Sequence, residues 1–244
     1  MITFAVIAAT GLIAATAQAV AGFGFALLAV PLLVTVLDVP TAVGLAALLS
    51  GLNVAWVAIS SRRHTPWDLV LPILAGSLCG MPLGLALLLG ISSEVLRVMV
   101  SVLSISMAAA LGLGLSIPAA GRRASFAVGG VAGLLTTSIA INGPPVVLYL
   151  QALGKPPEEF RAAISTFFLL NGVISLSAFV ATGVIGPDTL RYFLVGFPAI
   201  LVGSLVGRLI LPYFEPETFR RFVFALLVLG ALVSLAHSVQ NLLG

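Results

Sequence analysis

Charged side chains divide this chain into eight apolar stretches: Ile2 to Leu37, Thr41 to Ser60, Leu69 to Leu89, Val95 to Ile117, Phe126 to Leu153, Ala162 to Ile185, Tyr192 to Leu211 and Phe222 to Val239. Six of them suit one membrane-spanning helix each, since a span needs about 20 apolar residues. The first and fifth are too long for a single span. Each carries a helix breaker near its middle, Ala21-Gly22-Phe23-Gly24-Phe25 in one and Ile141-Asn142-Gly143-Pro144-Pro145 in the other. With 60% hydrophobic and 8% charged residues among 244, the chain cannot hide its apolar surface from water by folding on itself. A lipid bilayer is therefore its solvent, and an all-α polytopic membrane protein is the expected fold. The connecting loops are short and leave no room for a soluble or catalytic domain.

The breakers occupy corresponding places in two halves, 1–120 and 121–244, that read as repeats. Gly22 aligns with Asn142, Asp38 with Glu158, Asn53 with Asn171 and Asp68 with Asp188. Further on, Gly76-Ser77-Leu78-Cys79-Gly80 matches Gly203-Ser204-Leu205-Val206-Gly207, and Glu94-Val95-Leu96-Arg97 matches Glu217-Thr218-Phe219-Arg220. Matches in the same order along both halves indicate an internal duplication.

The positive-inside rule tests how the halves are oriented. If every stretch crosses the membrane, Arg62, Arg63, Arg122, Arg123 and Arg191 face one side and Arg97, Lys155, Arg161, Arg220 and Arg221 the other, which is no bias. If the first and fifth stretches are re-entrant hairpins, one side collects Arg62, Arg63, Arg122, Arg123, Lys155, Arg161, Arg220 and Arg221. Only Arg97 and Arg191 remain opposite. The hairpin arrangement is therefore expected: two inverted-topology repeats, each with one broken segment and three transmembrane helices, and both termini outside the cytoplasm. A parallel repeat with weak charge bias is the alternative. Phe4 to Ala19 has the make-up of a signal-peptide core, but no basic residue precedes it, and retention is expected.

A helix that begins inside the membrane leaves its first N-H groups unpaired and carries a partial positive charge there, so an anion is its natural partner. Two such N-termini meeting near the midplane form an anion site without any buried basic side chain. The expected substrate contacts are Gly22, Phe23, Gly24 and Phe25 at the first break and Asn142, Gly143, Pro144 and Pro145 at the second. Asn53 and Asn171 are expected as side-chain donors, with interhelical hydrogen bonding as their plainer reading. Asn142 is a favourable N-cap, the prolines suit a first helical turn, and Gly143 offers a positive φ. Gln18, Thr136, Thr137 and Ser138 are further polar candidates, although hydroxyls beside a kink also serve to satisfy backbone. Arg208, the one base inside a span, is expected to snorkel toward the cytoplasm, with an anion-attracting vestibule as the alternative. Gly76, Gly80, Gly84, Gly203 and Gly207 form small-xxx-small faces, read here as close helix packing.

Several function classes drop out. Cys79 is the single cysteine, so no disulfide framework or thiolate metal cluster forms within one chain. HExxH, CxxC and nucleophile-elbow patterns are missing and no span holds an acidic residue, so neither an enzyme nor a metal or cofactor is expected, and a proton relay lacks its groups. The 11 basic residues are spread over membrane loops, without the concentrated face that nucleic acid needs. The expected partners are the bilayer and a small anionic substrate. The oligomeric state has no signature in the sequence.

The run Ala21-Gly22-Phe23-Gly24-Phe25-Ala26-Leu27-Leu28-Ala29-Val30-Pro31 and its partner Asn142-Gly143-Pro144-Pro145-Val146-Val147-Leu148-Tyr149-Leu150 resemble the two signature motifs of the sulfite exporter TauE/SafE family. The similarity covers nearly the whole chain, including the duplicated layout and the basic loop after the second stretch. It implies a bacterial or plant permease that exports sulfite or another sulfur-containing anion, organosulfonates and thiosulfate included. Composition and spacing alone yield only a small anion. The expected function is a secondary transporter of the inner or plasma membrane that moves a sulfur oxyanion outward by alternating access. A non-transporting structural or sensory membrane subunit and a small-anion channel are the alternatives.

Overall fold

The computed structural model describes residues 1–21, 23–115, 117 and 121–210, so the eighth apolar stretch and the match around Arg220 lie outside the described residues. Every regular element among the described residues is a helix. The first apolar stretch folds as α1 (Ile2–Ala21) and α2 (Phe25–Leu33), and the second as α3 (Val39–Ser61), which ends in a 3-10 turn at Arg62–His64. Next come α4 (Trp67–Gly90) and α5 (Ser93–Gly112). The fifth stretch folds as α6 (Arg122–Ile139) and α7 (Gly143–Ala152), followed by α8 (Pro157–Ala181) and α9 (Pro187–Ile210). α1, α4, α5, α8 and α9 are each long and apolar enough to cross a bilayer.

The breaks fall where glycine and proline interrupt the apolar runs, but not at mid-stretch. α1 has 20 residues against 9 in α2, and α6 has 18 against 10 in α7. Each broken segment is thus a long arm with a short return. Helix starts follow charge and ring chemistry: Pro157 with Glu158 and Glu159 opens α8, and Pro187 with Asp188 opens α9, setting carboxylates against the positive helix end.

Without a hydrophobic driving force between helices in lipid, small residues that permit backbone contact decide which helices pair. α4 and α6 form the tightest seam. A Cβ added to Gly76, Gly80 or Gly84 would fall within 3.0 Å of the carbonyls of Phe126, Gly130 and Leu134 in turn. From the other side, Gly129 and Gly133 meet the carbonyls of Ile73 and Ser77 just as closely. Partner numbers rise together, so α4 and α6 run parallel. α1 and α9 pair in the same way, with Gly203 against the Leu12 carbonyl and Gly207 against the Thr16 carbonyl, again parallel. The packing read into Gly76, Gly80, Gly84, Gly203 and Gly207 is what the helices do. Each seam joins a helix from residues 1–120 to one from residues 121–210.

α3 and α8 also pack together and run in opposite directions. Gly44 faces Val184 and Ile185, Gly51 faces Leu176, and the Thr65 and Thr166 hydroxyls are 3.0 Å apart. Further contacts sort the loops into two ends of the bundle. At one end Phe4 of α1 meets Tyr192 of α9, with ring centroids 6.0 Å apart, and Arg97 Nη2 donates to the Leu37 carbonyl at 3.4 Å. At the other end His64 lies 3.6 Å from Glu158, and the Ile117 N-H donates to the Leu148 carbonyl at 3.4 Å. The chain therefore enters α1 and leaves α2 at one end, and enters α6 and leaves α7 at the opposite end.

Candidate anion site

Both breaks open onto one cavity of about 60 Å³. Gly24 to Leu27 reach it from the first break, and Thr136 with Ala140 to Pro144 from the second. Its walls are Ala47, Ser50, Gly51 and Val54 of α3 and Phe168, Gly172 and Ser175 of α8, with Gln18 of α1. These α3 and α8 residues lie around the centres of their helices, so the cavity sits at mid-height in the bundle. No charged side chain lines it.

The backbone makes the two breaks chemically different. In the first, Gly24 adopts φ 94°, a left-handed value that glycine accepts without strain. Its carbonyl already receives the Leu28 N-H at 3.2 Å, so α2 begins at once and the N-H groups of Phe25, Ala26 and Leu27 have no partner within the helix. In the second break the reversal occurs earlier, at Ala140, whose φ is 58° and whose N-H returns to the Thr136 carbonyl at 3.1 Å. Ala140 is the one non-glycine residue with positive φ among the described residues.

Gly143 does not use the positive φ expected of it. Because Ala140 has already turned the chain, Asn142 takes near-helical angles, φ −96° and ψ −13°, and leads directly into α7. Pro144 and Pro145 do occupy the first turn, where they delete two of the N-H groups a helix start would present. Only the amides of Asn142 and Gly143 remain. Asn142 holds the N-cap position, yet its side chain makes no capping bond and has no hydrogen-bond partner among the described residues. Asn142 itself lines the cavity.

Other expected site residues divide into those at the cavity and those behind it. Gln18 and Phe25 line it and are buried, and Phe23 is half-buried close to Gly143. Asn171 is fully buried one layer back: it accepts from the Ser77 hydroxyl and donates to Thr136 Oγ1 at 2.8 Å, joining α4, α6 and α8. Thr137 locks the α4–α6 seam by donating to the Met81 carbonyl at 2.7 Å, and Ser138 donates to its own helix at Leu134. Pro145 is buried in the first turn of α7 without lining the cavity, and Arg208 is exposed in the last turn of α9. Gly22 and the side chain of Asn53 lie outside the described residues.

Ser50, Phe168, Gly172 and Ser175 were not anticipated by the sequence reading, though the spacing 47, 50, 51 and 54 marks one helix face beside Asn53. The hydroxyls of Ser50, Ser175 and Thr136 donate to the carbonyls of Ala47, Gly172 and Ala132 at 3.1, 3.0 and 2.7 Å. Their protons are committed to the helices. The first-turn amides of α2 and the amide-bearing residues Gln18 and Asn142 line the cavity, groups whose N-H hydrogens an anion can accept.

A model of the sulfite exporter TauE/SafE family matches residues 7–234, a span that contains both breaks and every cavity-lining helix. The chain belongs to the sulfite exporter TauE/SafE family. It is 24% identical over 218 residues to the probable sulfite/organosulfonate exporter TauE of Cupriavidus necator, covering 86% of this chain and 85% of that protein. It is 26% identical over 109 residues to the probable inner membrane transporter protein TsaS of Comamonas testosteroni, covering 44% of this chain and 46% of that one. No solved structure matches the chain significantly.

Proposed function

We propose that this TauE/SafE member is an inner-membrane secondary transporter that exports a small sulfur oxyanion by alternating access. The observation that carries the proposal is the convergence of the α2 and α7 N-termini on one uncharged cavity at mid-height. The anion is held by the amides of Phe25, Ala26 and Leu27 on one side and by Gly143 and the Asn142 side chain on the other. Asn171 acts as a positioning residue, holding Thr136 and the end of α6 in place.

Packing supports inverted repeats. If all eight stretches crossed the bilayer, α3 and α8 would run parallel, being the second stretch of their respective repeats. Their antiparallel contact is what two hairpin breaks require. The two parallel glycine seams relate to one another as a two-fold axis in the membrane plane would relate them. Arg63, Arg122, Arg123, Lys155, Arg161 and Arg208 fall at the end of the bundle that holds Thr65 and Ile117. This supports a cytoplasmic assignment for that end and an outer one for the N-terminus.

Size and energetics fit the same reading. At roughly 10–15 Å³ for each water-sized position, the cavity holds about four to six heavy atoms. Sulfite, with four heavy atoms, is within that size. A negative cell interior favours anion exit by about 2.3 kcal/mol per charge per 100 mV, so export needs no proton relay. The test is purified protein in liposomes loaded with sulfite, thiosulfate or a short sulfonate. Efflux above that of protein-free liposomes, at carrier rather than channel turnover, is expected for at least sulfite. Equal leak with and without protein for all three sinks the transport reading.

A further inference from the structure

We infer that the site selects by charge as well as size, taking a sulfur oxyanion in its singly charged form: hydrogensulfite rather than the sulfite dianion. The inference rests on the proposed substrate site and asks how much negative charge that site can neutralise.

None of the 18 residues around the cavity is acidic or basic. Each of the two half-helix N-termini offers about half an elementary charge. Together they compensate about one negative charge. The carbonyl ends of α1 and α6 face the same breaks and can only lower that sum, and Ala140 folds one of them back on itself. The hydroxyls of Ser50, Ser175 and Thr136 have already given their protons to helix carbonyls, so they add no donors without breaking a bond. One negative charge is therefore the most that the two helix ends can balance in this cavity, whereas a dianion leaves at least about one charge uncompensated.

Charged groups on the elements around the cavity do not alter the count. α1 and α2 carry none, and Asp38, after α2, is exposed. Arg62, Arg63 and His64 follow α3, and Arg122 and Arg123 open α6. Lys155 follows α7; Glu158, Glu159 and Arg161 occupy the first two turns of α8. On the helices behind, Asp68 opens α4, Glu94 and Arg97 lie in the first turns of α5, and Asp188, Arg191 and Arg208 lie near the ends of α9. All of these are at the two ends of the bundle. Tyr149, the other titratable group on α7, is fully buried with its hydroxyl 2.8 Å from Ser125 Oγ. Among the described residues no His, Asp or Glu lines the cavity, and methanesulfonate, whose charge does not change with pH, separates the substrate's protonation from any effect of pH on the protein.

The experiment follows sulfite efflux from proteoliposomes at constant total sulfite, equal pH on both faces, and pH stepped across the second ionisation of sulfurous acid. Protein-free liposomes are subtracted at each pH. Methanesulfonate, singly charged throughout, and sulfate, doubly charged throughout, serve as competitors. Flux is expected to fall about tenfold per pH unit above that ionisation, with methanesulfonate competing at least tenfold better than sulfate at every pH. Ser50→Lys, which adds a positive charge to the lining, is expected to improve competition by sulfate about tenfold. Sulfite flux that holds or rises with pH, or sulfate competing as well as methanesulfonate, overturns the charge selection and leaves the transport reading intact. No sulfite flux at any pH overturns the transport reading itself.

Discussion

α6 lies against α4 through five glycines that meet backbone carbonyls, whereas α1 lies against α9 through two such glycines. α6 is also pinned by side chains on two sides, Thr137 to the Met81 carbonyl and Asn171 to Thr136, while α1 is tied to α9 by Thr16, whose hydroxyl donates to Gly203 at 3.0 Å. The breaks beyond these arms differ in the opposite sense. The firmly held second break has lost two amides to Pro144 and Pro145 and offers Asn142 as a side chain, while the first presents three consecutive amides. On the proposed reading the difference is a division of labour: the second half, with its tighter seam, would hold the site in position, and the first would supply most of its amides.

The largest expected effect comes from wedging the seams apart. Gly133→Leu drives a side chain into the Ser77 backbone, where neither helix can retreat without opening the whole α4–α6 contact. Such overpacking is expected to cost about 3 kcal/mol or more. Gly207→Leu meets the Thr16 carbonyl and the Ala19 side chain in the looser seam and is expected to cost about 1–3 kcal/mol. Thermal melting of the two variants in detergent, followed by size-exclusion chromatography, reads the difference. Equal loss at both positions contradicts the unequal roles assigned to the seams.

Next in size is a change in the first break. Ala26→Pro deletes one amide at the second position of α2, where Pro144 stands in α7, and a proline is tolerated there. A hydrogen bond to a charged partner is worth about 1.5–3 kcal/mol. The KM for sulfite is therefore expected to rise tenfold or more while the folded protein retains its melting temperature. Pro144→Ala, which returns an amide to the second break, is expected to lower KM. An unchanged KM in both would remove the backbone amides from the site.

These features were unequally legible in the chain itself. Helical spans, the two breaks and the glycine faces follow from apolar run length and from residues with a special backbone, and such constraints act locally. The location of the cavity was also legible, because two matched breaks in a bilayer have few places to go. Asn171 illustrates the limit. Its type and repeat position mark it as buried and polar, but whether it faces a ligand or a neighbouring serine depends on a helix rotation that Ser77 and Thr136 settle only once three helices have met. Gly143 illustrates another. The residue able to take positive φ is not the one that does, since the preceding turn had been completed at Ala140. Asn142, similarly, holds the cap position but not the capping bond.

A smaller effect separates the two threonine ties. Thr137→Val removes a fully buried bond across the seam to the Met81 carbonyl and is expected to cost about 1–1.5 kcal/mol, while Thr16→Val, at a partly exposed position, is expected to cost about 0.5 kcal/mol. Melting temperatures of the two single variants order them. A larger loss for Thr16 would reverse which arm is taken as the fixed one.

The last expected change is at Ala140. A left-handed alanine costs roughly 1–2 kcal/mol relative to a right-handed one, and glycine at the same φ avoids that cost. Glycine also frees the unfolded chain, which returns about 0.4–1 kcal/mol against stability. Ala140→Gly is therefore expected to stabilise the protein by between about 0 and 1.6 kcal/mol, raising the melting temperature slightly. The counterpart turn already has glycine at positive φ, at Gly24, on the arm held by fewer glycines. If the stiffer alanine keeps the second break in place while the first adjusts around the anion, Ala140→Gly should slow sulfite efflux even as it raises the melting temperature. A variant that is both more stable and equally fast would show that the rigidity of the second break comes from its seam with α4 alone, not from the turn.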